Sequence, residues 1–231
     1  MVKADAKSLL SAIASMSLDP SEREVKRLFW RDDMENYNLC KWFGRHAGST
    51  VAYVNNAPWL GAFEGDYVLR MARTDGDRAE TETYFGKVPD ELISLEVRWW
   101  KDSNLRGFRL AIDIFDQSRS PGVMRYANVQ WFPNVWQVVT GVPEATQDVA
   151  TEHICDDTWN ILKMFVDFSK DTYALIEING KIIDLRSLSI PIITLPSTVQ
   201  DRTRLVLAPT LHTWGDPAYC DDVRFYIHEV V

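Results

Sequence analysis

LISLEVRWWKDSNLRGFRLAIDIFD, from Leu92 to Asp116, alternates apolar and polar residues twice, with a polar break between the two runs. In the first run Ile93, Leu95, Val97 and Trp99 fall on one side, and Glu96, Arg98 and Trp100 on the other. In the second, Phe108, Leu110, Ile112 and Ile114 are opposed by Arg109, Asp113 and Phe115. A period of two marks a half-buried strand, because successive side chains of a pleated chain point to opposite faces. The two runs predict a β-hairpin turned by DSNLRG, with one side for a core and a polar, aromatic side left over.

The same pattern extends outward from this stretch. In DYVLRMARTDGDRAETETYF (66–85) Tyr67, Leu69 and Met71 share a face, and Asp75-Gly76 predicts the turn of another hairpin. WNILKMFVDF (159–168) puts Leu162, Met164, Val166 and Phe168 together, opposite Lys163 and Phe165. In YALIEINGKIIDL, Asn179-Gly180 is the dipeptide that best tolerates the positive φ angles of a type I′ turn. LVLAP follows, and DVRFYIHEV alternates Val223, Phe225 and Ile227 against Asp222, Arg224 and Tyr226. These segments predict about ten to twelve strands, too many for one open sheet, so two sheets must stack their apolar faces. Near the front of the chain Leu9, Ala12, Ile13 and Met16 recur at helical spacing, and Asp19-Pro20-Ser21 with Glu24 reads as a stop and a new cap. The expected organisation is a short helical extension over 1–28 and an all-β sandwich over 29–231.

Composition narrows the function. A formal charge of −8, with no cluster of Lys and Arg, argues against a nucleic-acid partner, since phosphate binding depends on such clusters. No run of eighteen apolar residues predicts a membrane helix. Cys40, Cys155 and Cys220 form neither a CxxC nor a zinc spacing and read as free thiols. Asp5 and several serines break up the apolar stretch of the first twenty residues, which points to the cytoplasm, with secretion the alternative. Nothing in the residues fixes an oligomeric state. Nine tryptophans suit either a large packed sandwich or a surface that stacks on flat apolar faces such as sugar rings.

The order of these signals resembles the jelly-roll sandwiches of the concanavalin A-like lectin and glucanase superfamily and related carbohydrate-binding modules. The likeness is carried by DDMENYN (32–38), GDYVLRM (65–71), ISLEVRWW (93–100), FRLAIDIF (108–115), WNILKMFVDFSKDTYALIEING (159–180) and YCDDVRFY (219–226). It implies an antiparallel jelly roll from about Phe29 to the end of the chain, and a ligand that is an oligo- or polysaccharide.

Catalytic patterns are missing where that resemblance would want them. A retaining glycosidase needs two carboxylates about 5 Å apart across the bond. The nearest run, AIDIFDQ, puts Asp113 and Asp116 three apart, on opposite faces of a strand. There is no GxSxG elbow, and His46, His153, His212 and His228 stand in unrelated contexts. The leftover side of the strands is richer. Arg98, Trp100, Arg109, Asp113, Arg125 and Trp131 supply aromatic planes and charged hydrogen-bonding groups, the mixture that sugar recognition uses. The expected function is therefore a noncatalytic, lectin-like carbohydrate-binding sandwich. The alternatives are a glycoside hydrolase or polysaccharide lyase on the same fold, or a structural domain. In a jelly roll the first and last strands lie side by side. Asp33, Glu35 and Asp222 would then approach one another, and either a structural calcium ion or an arginine, Arg31 or Arg224, would have to offset their repulsion.

Overall fold

The computed structural model describes residues 25–35, 42–44, 49–55, 65–73, 79–102, 105–133, 135–151, 154–211 and 217–229. They form strands and no helix: β1 Val25–Asp32, β2 Phe43–Gly44, β3 Ser49–Asn55, β4 Tyr67–Arg73, β5 Thr81–Phe85, β6 Leu92–Lys101, β7 Leu105–Asp116 and β8 Val123–Phe132. The second half adds β9 Val135–Gly141, β10 Ala145–Ala150, β11 Thr158–Asp167, β12 Thr172–Ile178, β13 Lys181–Asp184, β14 Ile192–Thr194, β15 Arg202–Leu211 and β16 Ala218–Glu229. The helical extension expected over 1–28 lies outside the described residues up to position 24, and Val25 to Leu28 already belong to β1.

Two antiparallel sheets stack as a sandwich. The first runs β13-β12-β11-β6-β16-β4-β3, with β1 also paired to β16; the second runs β10-β9-β8-β7-β15-β5-β2, with β14 also paired to β8. The expected terminal pairing is present, since β1 lies antiparallel to β16 with Arg31 opposite Arg224. Two of the three expected hairpins are not hairpins. β6 belongs to the first sheet and β7 to the second; so do β4 and β5 respectively. Alternation identifies a strand and its buried side, but says nothing about which sheet that side belongs to. A polar break turns a chain across the open edge of a sandwich as readily as it turns a hairpin.

The third hairpin stands. β11 pairs with β12, and β12 with β13 across Asn179 (φ 49°) and Gly180 (φ 87°). The Asn179 side chain accepts a hydrogen bond from the Ile161 N–H at 2.8 Å and donates to Asn160 at 2.9 Å, tying the turn back to β11. A Cβ at Gly180 would meet nothing within 4 Å. Gly180→Val is therefore penalised through its backbone alone, by about 1–2 kcal/mol. Denaturant unfolding measures this, and an unchanged midpoint would contradict it.

The core is filled as the alternation predicts. Ile93, Leu95, Val97 and Trp99 of β6 meet Phe108, Leu110, Ile112 and Ile114 of β7 across the sandwich, with Trp99 stacked on Phe108 at 4.9 Å between ring centroids. Leu162, Met164, Val166 and Phe168 complete it from β11, and Val223, Phe225 and Ile227 from β16. One polar group crosses this interior. The Tyr173 hydroxyl of β12 accepts from the Asn128 N–H at 2.9 Å and lies 2.8 Å from the Val139 carbonyl and 3.2 Å from that of Asn128. It fills the gap along β8 between the part paired with β14 and the part paired with β9. Burial raises its pKa above the ordinary value, so it stays a neutral donor.

Candidate functional site

Each sheet has an outer face, and because β6 and β7 belong to different sheets the six expected ligand residues do not share one. Arg98 and Trp100 lie on the outer face of the first sheet, Arg109 and Asp113 on that of the second. Trp100 is half-buried and packs edge-to-face on its cross-strand partner Trp159 at 5.6 Å. Arg98 is buried in ion pairs. Two expectations are corrected by parity. In β8 the odd positions Ala127, Val129 and Trp131 point inward, so Trp131 belongs to the core, 5.5 Å from the Trp99 ring, and not to a ligand face. Arg125 shares that parity. It is fully buried at one end of the sandwich, where it donates to the Phe168 carbonyl at 2.8 Å and pairs with Asp90, Asp116 and Asp171.

The expected terminal site has arginines where a cation was wanted. Asp222 sits at a bulge of β16 with φ 46°, a conformation that Asp tolerates better than most residues. Its carboxylate is fully buried and paired with three guanidiniums: Arg31 at 2.8 Å, Arg224 at 2.5 Å, and Arg98, which also reaches Glu96 at 2.9 Å. Glu35 accepts instead from the backbone N–H groups of Asp66 and Tyr67, both at 2.9 Å, and Asp33 from that of Glu35 at 3.3 Å. Among the described residues no three His, Cys, Asp or Glu side chains are grouped as a metal ion would require.

The outer face of the second sheet is the candidate site. Register lays its side chains out in four rungs. The first holds Asp148, Gln137, Gln130, Arg109 and Ala208; the second Asn128, Ala111, Val206, Glu82 and Phe43. The third holds Tyr126, Asp113, Arg204 and Tyr84, and the fourth Met124, Phe115 and Arg202. Four rungs at two residues each span about 20 Å. Ala111, Val206 and Ala208 form an apolar patch of their own, nearly inaccessible although turned away from the core. Tyr126, Asn128, Gln130, Asp113 and Phe115 are buried beside them, so the middle of the face is covered and closed to solvent.

Its polar groups are partly spoken for. Arg204 joins Asp113, 2.7 Å from its Nε, to Glu82 at 3.3 Å, and the Tyr84 hydroxyl donates to Glu82 at 2.6 Å. Gln137 donates to Asp148 at 2.7 Å, and Arg109 pairs with the half-exposed Glu144 at 3.3 Å. The carboxamide of Asn128 is fully buried with neither its nitrogen nor its oxygen hydrogen-bonded. Burial and the neighbouring Glu144 raise the Tyr126 pKa, and burial and the Glu82 hydrogen bond raise that of Tyr84, so both phenols remain neutral donors near pH 7. Gln137, Tyr126, Asn128, Tyr84 and Arg204 were not picked out as candidates from the sequence. The signal for Tyr126 and Asn128 was there: with Gln130 they alternate with Ala127, Val129 and Trp131 in RYANVQW.

No protein-family model matches the sequence, and no curated protein matches it. Solved structures match the fold. A cellulose-induced protein, Cip1, superposes with a TM-score of 0.53 at 12% identity, covering 85% of this chain and 96% of that one. Peanut lectin superposes with 0.50 at 7% identity, covering 90% and 100%. The xylan-binding domain CBM22-1 of Paenibacillus barcinonensis Xyn10C gives 0.45 at 10% identity, covering 90% and 99%. The chain is a two-sheet antiparallel jelly-roll β-sandwich, the fold it shares with these structures.

Proposed function

We propose that this protein is a noncatalytic carbohydrate-binding sandwich whose ligand lies across the outer face of the second sheet. One observation carries the reading: that face gathers amides, phenols and guanidiniums around an apolar patch of Ala111, Val206 and Ala208, and the buried Asn128 carboxamide among them has no hydrogen-bond partner among the described residues. Small apolar floors receive the flat faces of sugar rings, and amide and guanidinium groups match their hydroxyls. A buried amide left unpaired is costly, so a ligand that supplies both a donor and an acceptor gains from meeting it. The carboxylates of the face favour binding over hydrolysis. Asp113 and Glu82 are both tied to Arg204, and a general acid must hold a proton that such an ion pair disfavours.

Affinity electrophoresis through gels containing soluble polysaccharides tests this. Arg109→Ala and Gln130→Ala should each weaken retardation by about tenfold in affinity, the cost of one charged or well-placed hydrogen bond. Both side chains are largely buried, so each variant should also lose about 0.5–1.5 kcal/mol of stability, small enough for binding to be compared on folded protein. Trp100→Ala, on the other sheet, should bind as the parent does. Loss in Trp100→Ala with the other two intact would move the site to the first sheet.

A further inference from the structure

On this face three guanidiniums stand in rungs one, three and four, and they are not alike. Arg204 is neutralised by Asp113 and Glu82, and Arg109 leans on Glu144. Arg202 pairs with no carboxylate among the described residues. Its guanidinium is held between two rings, 4.7 Å from the centroid of Tyr84 and 4.7 Å from that of Phe115. Aromatic faces attract a cation without cancelling its charge and fix its plane. The Nε is buried and unbonded, while the terminal nitrogens make no hydrogen bond and keep contact with solvent. An oriented, partly desolvated and uncompensated guanidinium has its strongest interaction with a planar or multidentate anion.

Building on the carbohydrate reading above, we infer that the glycan taken by this face is anionic, with a carboxylate or sulfate group received by Arg202 at the fourth rung. The chain as a whole carries −8, so attraction at this point is local and not a property of the whole molecule. The neighbouring Asp201 accepts from the Gln117 N–H at 2.5 Å and forms no ion pair with Arg202. The aromatic clamp sets the plane of the guanidinium, so Arg202→Lys keeps the charge but loses the oriented fork.

The experiment measures binding of the whole chain to polygalacturonate, to dextran sulfate and to neutral xylan and β-glucan, by affinity electrophoresis and calorimetry. The parent should prefer one or both anionic polymers, the two arms telling carboxylate from sulfate, and that affinity should fall with added salt. Arg202→Gln should lose about 10- to 100-fold on the preferred anionic polymer, matching one charge-assisted contact, with Arg202→Lys in between. Its melting temperature should fall by only a few degrees, for the loss of the two ring contacts, while any residual neutral-polymer binding should not change; a purely structural arginine would lower neutral and anionic binding together. Neutral and anionic polymers bound alike, with Arg202→Gln altering neither, would overturn the anion and leave the carbohydrate reading standing. Binding of no polymer would overturn both. Should Arg202→Gln fail to fold, the parent decides: anionic binding that is indifferent to salt overturns the inference.

Discussion

Asp222→Asn should destabilise the fold by about 3–5 kcal/mol, the cost of breaking a buried ion pair from one side. The asparagine keeps the shape and tolerates the left-handed backbone at position 222, so the loss is one of charge. What it leaves behind is worse than what it removes. Arg98 is almost wholly buried and would lose the Asp222 carboxylate while keeping that of Glu96, and Arg31 and Arg224, directly opposite each other on β1 and β16, would repel without the carboxylate between them. Urea unfolding of the variant, with an unchanged slope and a much lower midpoint, is the expected result. Neither chelator nor millimolar calcium should move the parent's midpoint, because arginine supplies the positive charge at Asp222. A reproducible rise with calcium would instead put a cation among Asp33, Glu35 and Asp222.

Arg125→Ala should be comparably severe, again about 3–5 kcal/mol. Arg125 ties β8 to three segments at one end of the sandwich: the Asp90 loop before β6, Asp116 at the end of β7, and the β11–β12 turn through Phe168 and Asp171. Asp116 gives this end a pH signature. Burial pushes its pKa up, but the Lys87 ammonium and the hydroxyl and N–H of Ser118 outweigh burial and hold it at about 2, against 3.8 ordinarily. A carboxylate depressed in the folded state stabilises it fully above the unfolded pKa. That contribution is lost as pH falls from about 4 through about 2, and Asp116→Asn should flatten this part of the stability curve. A variant of Arg125 that folds like the parent but fails to bind glycan would return that residue to the ligand face.

These two arginines show how far the residues alone could be read. Alternation gave the inward sets of β6, β7, β11 and β16 correctly, because burial follows parity and parity is local. It gave the Asn179-Gly180 turn for the same reason, since the demand for positive φ falls on two adjacent residues. Partnership between segments is not local. Nothing in Lys101 to Leu105 says whether the chain turns back along its own sheet or passes to the other, and that one ambiguity put Arg98 and Trp100 beside Arg109 and Asp113 when they stand on opposite sides of the molecule. Arg125 and Trp131 were misplaced although their own strand placed them: apolar Ala127 and Val129 share their parity, and a charge at an inward position reads as outward until its three aspartates, distant in sequence, are brought to it. β2 and β14, of two and three residues, are too short to show any alternation, and β10 is mostly exposed with no apolar face to reveal it, so the count of ten to twelve fell short.

The Tyr173 hydroxyl makes the Asn128 amide an internal gauge. Most strand amides are shielded from solvent hydrogen by a neighbouring strand, so their exchange reports on fraying within one sheet. This one is shielded by a side chain rooted in the opposite layer. It becomes free when the layers part, even while every ladder stays paired. Its exchange rate, set against that of Val129 next door, therefore separates breathing of the sandwich from unzipping of a strand. Because the Asn128 side chain stands on the outer face directly behind that amide, a ligand seated there would register in the same rate.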